Sequence, residues 1–148
     1  MRSRLFLTEK GIEVVARFTC PARRISDTLH FLIDTGSERS FLGWETAVKV
    51  GLVVEDLPRY PKPVFGFGGA AEAKHLSDLC ALHVPFEGDQ LETVEIRDGI
   101  LVYRPSRTQT KHWKAGPSVS IIGRDVLTLS GWKLVVDLSQ DQMYFEKS

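Results

Sequence analysis

The residues best placed to do chemistry form one short segment, Asp34-Thr35-Gly36-Ser37. An apolar run, Leu29 to Ile33, precedes this segment, which is typical of a strand that feeds a tight turn. A carboxylate held at the end of a strand can serve as a general acid or base. Turns favour Asp and Gly in any protein, so on this segment alone a turn cap is the better explanation of Asp34.

Three other segments bear on the interpretation of this aspartate. In Ile121-Ile122-Gly123-Arg124-Asp125, two apolar residues and a glycine precede the start of a predicted short helix. The segment Phe65-Gly66-Phe67-Gly68-Gly69 is glycine-rich and suits the tip of a mobile hairpin. The last predicted element is a hairpin of residues 133–138 and 142–146. Together, the four segments are far more specific than any one of them.

In combination these segments resemble the motifs of the retropepsin-like aspartic proteases, from about Ile12 to Glu146. Such enzymes hydrolyse peptide bonds with two carboxylates that share one proton, because like charges so close together cannot both ionise. One carboxylate takes a proton from the attacking water, and the protonated one donates to the scissile carbonyl. Since the chain has a single Asp-Thr-Gly, the resemblance implies an obligate homodimer in which Asp34 pairs with its symmetry mate.

The resemblance also implies roles for individual residues. Asp34, Thr35 and Gly36 would form the catalytic turn, with Thr35 bonding across the two-fold axis and Gly36 letting the backbone approach the carboxylates. The Ser37 hydroxyl is expected to donate to a carboxylate oxygen and thereby favour an acidic pH optimum. The implied substrate-binding residues are Ser37, Glu38, Phe65, Gly66, Phe67, Gly68, Gly69, Ile121 and Ile122.

Other residues would support the site or the dimer. Gly123, Arg124 and Asp125 are the implied structural supports. Arg124 is expected to anchor the acid after the turn, where this chain has Glu38 and retroviral sequences often have Asp. The predicted dimer interface is the terminal hairpin, through Leu134, Val136, Met143 and Phe145. A glycine-rich flap would cover the cleft and bind an extended peptide as an added strand.

Periodicity predicts the elements that must position these residues. Residues 12–20 and 80–86 alternate apolar with other side chains, as half-buried strands do. A two-turn helix is predicted from Trp44 to Val50, ended by Gly51, and a second brief helix over 123–129.

Turn residues complete the predicted architecture. A polar turn is expected over 22–27, an exposed polar loop over 104–117, and a hairpin at Asp98-Gly99 between 94–96 and 100–103. The expected fold is a single, mainly β domain over 1–148, an acid-protease closed barrel with a glycine-rich flap hairpin and one or two short helices.

Composition narrows the possible classes of protein. The 148 residues are 43% apolar and 26% charged, as in one globular domain. With a formal net charge of +0, no overall field favours nucleic acid or a membrane surface. No apolar run approaches the roughly 20 residues of a membrane span, and a soluble, cytoplasmic protein acting on peptides or proteins is expected, without metal or organic cofactor.

Several alternatives stay open at this stage. His75, Cys80 and His83 could suggest a metal site, although their spacing matches no common motif. The basic segment 104–114 could bind nucleic acid, and the Asp34 turn could be a phosphate loop. One disulfide between Cys20 and Cys80 is also allowed. The main alternative is a catalytically silent dimerisation or peptide-binding module of the same fold.

Overall fold

The computed structural model describes residues 1–62, 64–66, 69–104 and 119–148. Phe67 and Gly68 of the predicted flap, and residues 105–117 of the predicted polar loop, lie outside the described residues. The strands within the described ranges are β1 (Arg2–Arg4), β2 (Phe6–Thr8), β3 (Gly11–Cys20), β4 (Ile25–Ile33), β5 (Phe41–Gly43), β6 (Val64–Gly66), β7 (Gly69–Leu76), β8 (Cys80–Phe86), β9 (Gln90–Ile96), β10 (Ile100–Arg104), β11 (Ser120–Ile122), β12 (Lys133–Asp137) and β13 (Gln142–Glu146). The helices are α1 (Trp44–Lys49) and α2 (Arg124–Ser130). The prediction of a mainly β fold with one or two short helices is confirmed for the described residues.

Ten of the strands form one sheet, whose order is β6-β7-β10-β5-β11-β4-β3-β8-β9, with β2 paired to β3. The strand β11 lies between β4 and β5, although β4 and β5 are consecutive in the chain. It runs parallel to β4 and antiparallel to β5. The connection from β4 to β5, which contains Asp34, therefore spans the end of β11. Closure of the sheet into a barrel stays a prediction.

The main apolar core lies against the long strands of this sheet. Along β3 the inward side chains are almost completely buried, as the alternation predicts; these are Val14, Ala16, Phe18 and Cys20. The same holds along β8 for Cys80, Leu82, Val84 and Phe86. Cys20 and Cys80 are free thiols, and burial raises the pKa of Cys80 above its ordinary value.

A second, smaller cluster lies beneath the hairpin of β6 and β7. Its members come from several strands and are Leu32, Phe41, Val64, Ala73, Leu101, Tyr103, Val119 and Ile121. Phe41 and Tyr103 meet edge to face, with ring centroids 5.6 Å apart. This cluster supports the strands on either side of the Asp34 turn.

Two predicted connections differ in the structure. The predicted polar turn is shorter in the structure, where it covers only Pro21–Arg24 and β4 begins at Ile25. The polar residues that follow Ile25 belong to β4 and pair with β3. The hairpin predicted at Asp98-Gly99 is wrong, since β10 pairs with β5 and β7 while β9 pairs with β8. Gly99 lies in a turn that contacts the end of β7, and a Cβ added to Gly99 would lie 1.7 Å from the Leu76 carbonyl oxygen.

The terminal hairpin of β12 and β13 forms as predicted, and β1 joins it in a separate three-stranded sheet. Met143 and Phe145 are buried in the core of this chain, so the prediction that these two side chains form a dimer interface is wrong. Phe145 packs on Trp132, with ring centroids 5.3 Å apart. Val136 is 43% exposed and keeps an accessible surface. In the described ranges, no helix has the length and apolar character needed to cross a bilayer.

Candidate active site

Asp34 is the first residue after β4, and β11 fixes its backbone. The parallel pairing of β4 with β11 ends at Ile33 and Ile122, and the Asp34 amide then donates to the Ile122 carbonyl oxygen at 3.0 Å. Ile122 is 1% exposed, so this anchor lies in the core. The aspartate is thus placed at a point where two buried strands end together.

The turn itself presents the Asp34 carboxylate toward the surface. The Ser37 amide donates to the Asp34 carbonyl oxygen at 3.1 Å, and the Gly36 amide donates to Asp34 Oδ1 at 2.9 Å. Thr35 and Gly36 are exposed, and Asp34 is half-buried. A Cβ at position 36 would lie 3.1 Å from Asp34 Oδ1, so a larger residue would crowd the carboxylate.

The segment that starts α2 holds the far side of the turn. The Arg124 amide donates to the Ser37 carbonyl oxygen at 2.8 Å, and the Asp125 amide donates to the Glu38 carbonyl oxygen at 3.2 Å. Gly123 passes so close that a Cβ there would lie 2.5 Å from the Arg39 carbonyl oxygen and 2.7 Å from that of Ser37. The two motifs singled out in the sequence are therefore in direct backbone contact.

Asp125 supports the turn through its side chain. Its Oδ1 accepts from Ser40 Oγ at 2.6 Å and from the Val126 amide at 2.7 Å. Its Oδ2 accepts from the Ser40 amide at 3.1 Å and lies 3.6 Å from Arg39 Nε. Ser40 Oγ in turn accepts from the Gly123 amide at 2.8 Å. These contacts tie the end of the turn to the start of α2.

The expected ion pair between Arg124 and Glu38 does not form within the described part of the chain. The pair found there is Arg39 with Asp125, in which the turn supplies the cation and the helix supplies the acid. Sequence reasoning missed Arg39 and Ser40 because neither belongs to a recognised motif. The reversed order of charges, an arginine after the turn and an acid in the helix, was the available signal.

The Ser37 side chain also differs from the expectation. It is 1% exposed, and its hydroxyl donates to the Arg39 carbonyl oxygen at 2.7 Å. A hydroxyl has one hydrogen, so in this arrangement Ser37 does not donate to the Asp34 carboxylate. The predicted acid shift of the pH optimum through Ser37 therefore loses its physical basis.

The remaining predicted binding residues divide into two groups. Phe65, Gly66 and Gly69 lie on the hairpin of β6 and β7, where Phe65 pairs with Ala70 and Gly66 with Gly69. Ile121 and Ile122 are each 1% exposed and pack in the apolar clusters. Their side chains are therefore part of the apolar packing that supports the Asp34 turn.

A cavity of about 260 Å³ opens beside the turn. Its lining residues come from the turn, the chain before β6, β6 itself and the start of α2; they are Gly36, Glu38, Arg39, Tyr60, Lys62, Val64 and Arg124. A larger cavity, about 750 Å³, lies over the exposed side of β4 and α1 and includes none of Asp34, Thr35, Gly36 or Ser37. The smaller cavity reaches the Asp34 turn through Gly36, Glu38 and Arg39, and Asp34 itself is not among its lining residues.

The two histidines considered for a metal, His75 and His83, have other partners. His83 bonds to Thr19 Oγ1 through Nε2 at 3.0 Å and to Thr93 Oγ1 through Nδ1 at 2.8 Å. His75 Nε2 lies 2.6 Å from the Asp98 carbonyl oxygen. Over the described ranges, no three His, Cys, Asp or Glu side chains cluster in a way that could hold a metal ion.

Comparison with known proteins gives likenesses in structure and none in sequence. No protein-family model matches the chain, and no curated protein matches it. Its structure is similar to that of the EIAV protease complexed with the inhibitor HBY-793, at 20% identity and a TM-score of 0.48, over 88% of this chain and 98% of that one. It is also similar to a retropepsin-like aspartic protease from Rickettsia conorii, at 17% identity and a TM-score of 0.49, over 98% of this chain and 88% of that one. At TM-scores below 0.5, neither likeness decides what this chain does.

Proposed function

We propose that this chain is one protomer of a homodimeric aspartic endopeptidase, with a catalytic dyad of Asp34 and Asp34 of a second copy. One observation carries the proposal: an accessible turn presents the Asp34 carboxylate, while β11 and the start of α2 clamp the backbone of that turn. A carboxylate held on a clamped turn, whose neighbouring residues Gly36 and Glu38 line a cavity, is suited to general acid–base chemistry.

The need for a second copy follows from the chemistry. A water-activating carboxylate dyad requires two acids that share a proton, and the Asp-Thr-Gly turn supplies one. Thr35 and Gly36 are exposed at the tip of the turn, where a two-fold related turn could meet them. The dyad would then titrate as a unit, and its two apparent pKa values would belong to the pair.

In the proposed reaction, the ionised carboxylate of the dyad accepts a proton from water as that water attacks the scissile carbonyl carbon. The protonated carboxyl donates its proton to the carbonyl oxygen, which gives a neutral tetrahedral diol. The carboxyl that took the proton from water then donates it to the amide nitrogen, while the other carboxylate takes a proton from the diol, so that the carbon–nitrogen bond breaks to give a carboxylic acid and an amine. The Gly36 amide, 2.9 Å from Asp34 Oδ1, would help to hold that oxygen in place through these steps.

An extended peptide would bind between the turn and the hairpin of β6 and β7. The hairpin is held to the rest of the sheet by the pairing of β7 with β10. Further support comes from the preceding segment, where the Tyr60 amide donates to the Ala73 carbonyl oxygen at 2.8 Å. Backbone recognition of this kind tolerates many sequences, while cavities at the side chains set preferences.

The test is cleavage of a diverse peptide pool from about pH 4 to pH 7, read by mass spectrometry. The native chain is compared with Asp34→Asn, and with Asp27→Asn as a matched control, because Asp27 is exposed on β4, away from the turn that follows this strand. We expect native and Asp27→Asn proteins to cut the same peptides and Asp34→Asn to cut none. Cleavage that persists in Asp34→Asn contradicts the mechanism, and silence of all three proteins favours the non-catalytic module.

A further inference from the structure

We propose that the cavity beside the Asp34 turn selects a peptide that carries an acidic side chain, so that Glu or Asp is preferred at one position near the cleaved bond. This inference rests on the proposed endopeptidase function and adds a substrate class to it. Three features of the molecule support it: the charges of the cavity wall, the unpartnered Nε of Arg39 and the contact of Arg39 with the Tyr60 ring.

The cavity wall carries more positive than negative charge. Arg39, Lys62 and Arg124 line it, against the single acid Glu38. Lys62 and Arg124 are exposed, and in the described ranges neither forms an ion pair. Cations that have no acidic partner among the described residues favour an anionic group in the space between them.

Arg39 is the best placed of the three cations. Its Nε is buried and has no hydrogen-bond partner in the described structure. Asp125 Oδ2 lies 3.6 Å from that nitrogen, too far for a good hydrogen bond, and already accepts from the Ser40 amide. Asp125 therefore does not fully satisfy the Arg39 guanidinium, and a planar guanidinium can offer two parallel N–H groups to a carboxylate.

Tyr60 holds the guanidinium in place. Arg39 Cζ lies 5.5 Å from the centroid of the Tyr60 ring, within the range of a cation–π contact. The ring is itself fixed, since it meets His75 edge-on at 5.6 Å and its backbone amide is bonded to β7. A cation held in this way loses little conformational entropy when it binds a ligand.

A neighbouring cavity of about 450 Å³ continues the same wall. It shares Arg39, Tyr60 and Lys62 with the first cavity and adds Arg97 and the acid Asp98. Arg97 lies 3.7 Å from Glu95, which partly neutralises it. Over the two cavities and their ion pairs, the four cations Arg39, Lys62, Arg97 and Arg124 are balanced by the four acids Glu38, Glu95, Asp98 and Asp125. The excess of positive charge is confined to the lining of the cavity next to the turn, where Lys62 and Arg124 form no ion pair with a described residue.

The experiment uses eight-residue peptides in which each position in turn is Gln or Glu. For the native enzyme we expect Glu at one position to raise kcat/KM about fivefold over Gln, since partly exposed charge pairs contribute modestly. Lys62→Glu should abolish or reverse this preference. Lys10→Glu, the same change at an exposed site away from this cavity, should preserve it.

A binding measurement separates the two proposals. Fluorescence polarisation of the same labelled peptides on Asp34→Asn reports selectivity without cleavage, and we expect Glu peptides to bind more tightly there as well. If Glu and Gln peptides are cleaved and bound equally at every position, the proposed acidic preference is wrong and the proposed endopeptidase function is unaffected. Selective binding that Lys62→Glu removes, with no Asp34-dependent cleavage, overturns the endopeptidase and keeps the acidic preference.

Discussion

The strands β4, β3, β8 and β9, here called the body, are held by different interactions from the Asp34 turn, residues 34–40, which connects β4 to β5. In the body, long antiparallel ladders bury Phe18 and Phe31 completely. In the turn, five of the seven residues are at least partly exposed, and the backbone is held by hydrogen bonds to β11 and α2. Apolar burial provides most of the stability of a domain, whereas single hydrogen bonds provide position. Changes to the body should therefore lower stability, and changes to the turn should mainly lower activity.

The largest effect on stability is expected for Phe18→Ala in the body. Phe18 is 0% exposed, and its removal should lower the free energy of unfolding by about 3–5 kcal/mol through lost burial and the cavity left behind. Urea unfolding measures this change. Leu91→Ala on neighbouring β9 is the control, because Leu91 is 59% exposed and should cost under about 0.5 kcal/mol. Equal losses for the two variants would contradict the division into body and turn.

Gly123→Ala should have the next largest effect, and it should act on the turn. The new methyl group would press on two backbone carbonyl oxygens of the turn. We expect the free energy of unfolding to fall by about 3 kcal/mol and most of the peptide cleavage to be lost. Gly131→Ala at the other end of α2 is the matched control. Gly131 has φ of +67° and open space around it, so alanine there costs about 1 kcal/mol of backbone strain and leaves cleavage intact.

Asp125→Asn should have a smaller effect, confined to the turn. The amide can keep one acceptor oxygen, but its NH₂ group must then face the Ser40 amide or Arg39, which are also donors. We expect a loss of about 2 kcal/mol, as for hydrogen bonds to a charged group, together with weaker cleavage. Thermal unfolding and kcat/KM measure the two effects. If stability falls while cleavage stays at the native level, the contact does not position the catalytic turn.

Asp137→Asn should give the smallest change, at a site remote from both regions. The side chain of Ser139 and the amides of Ser139 and Gln140 donate to Asp137 and hold the pKa of its carboxyl below the ordinary value. A lowered folded-state pKa contributes stability above the unfolded-state pKa, and this stability is lost as the pH falls through the folded-state value. The variant should therefore be slightly less stable than the native protein at pH 7. The thermal unfolding midpoints of the native protein and of Asp137→Asn, measured from pH 7 downward, should converge in acid. A difference between them that stays constant with pH would exclude this explanation.

Much of the local structure could be predicted because local signals determine it. The alternation along β3 and β8, the glycine after α1 and the turn after β4 each depend on residues close in the chain. The backbone contact of the Asp34 turn with Gly123 and Arg124 also agrees with the motifs, although their order alone did not show which atoms meet. The hairpin at Asp98-Gly99 was predicted wrongly, because a turn residue does not determine which strand its flanking segments pair with.

The sequence by itself determined the class of fold, the position of the candidate catalytic acid and most element boundaries, since side-chain periodicity and turn chemistry act over a few residues. Only the tertiary structure decided that Arg39 pairs with Asp125, that the Ser37 hydroxyl donates to the Arg39 carbonyl oxygen and that Phe145 belongs to the core of this chain. It also brought Lys62 and Arg124 to one cavity, from positions far apart in the chain. These outcomes depend on long-range strand pairing and on competition between hydrogen-bond acceptors, which no local pattern encodes.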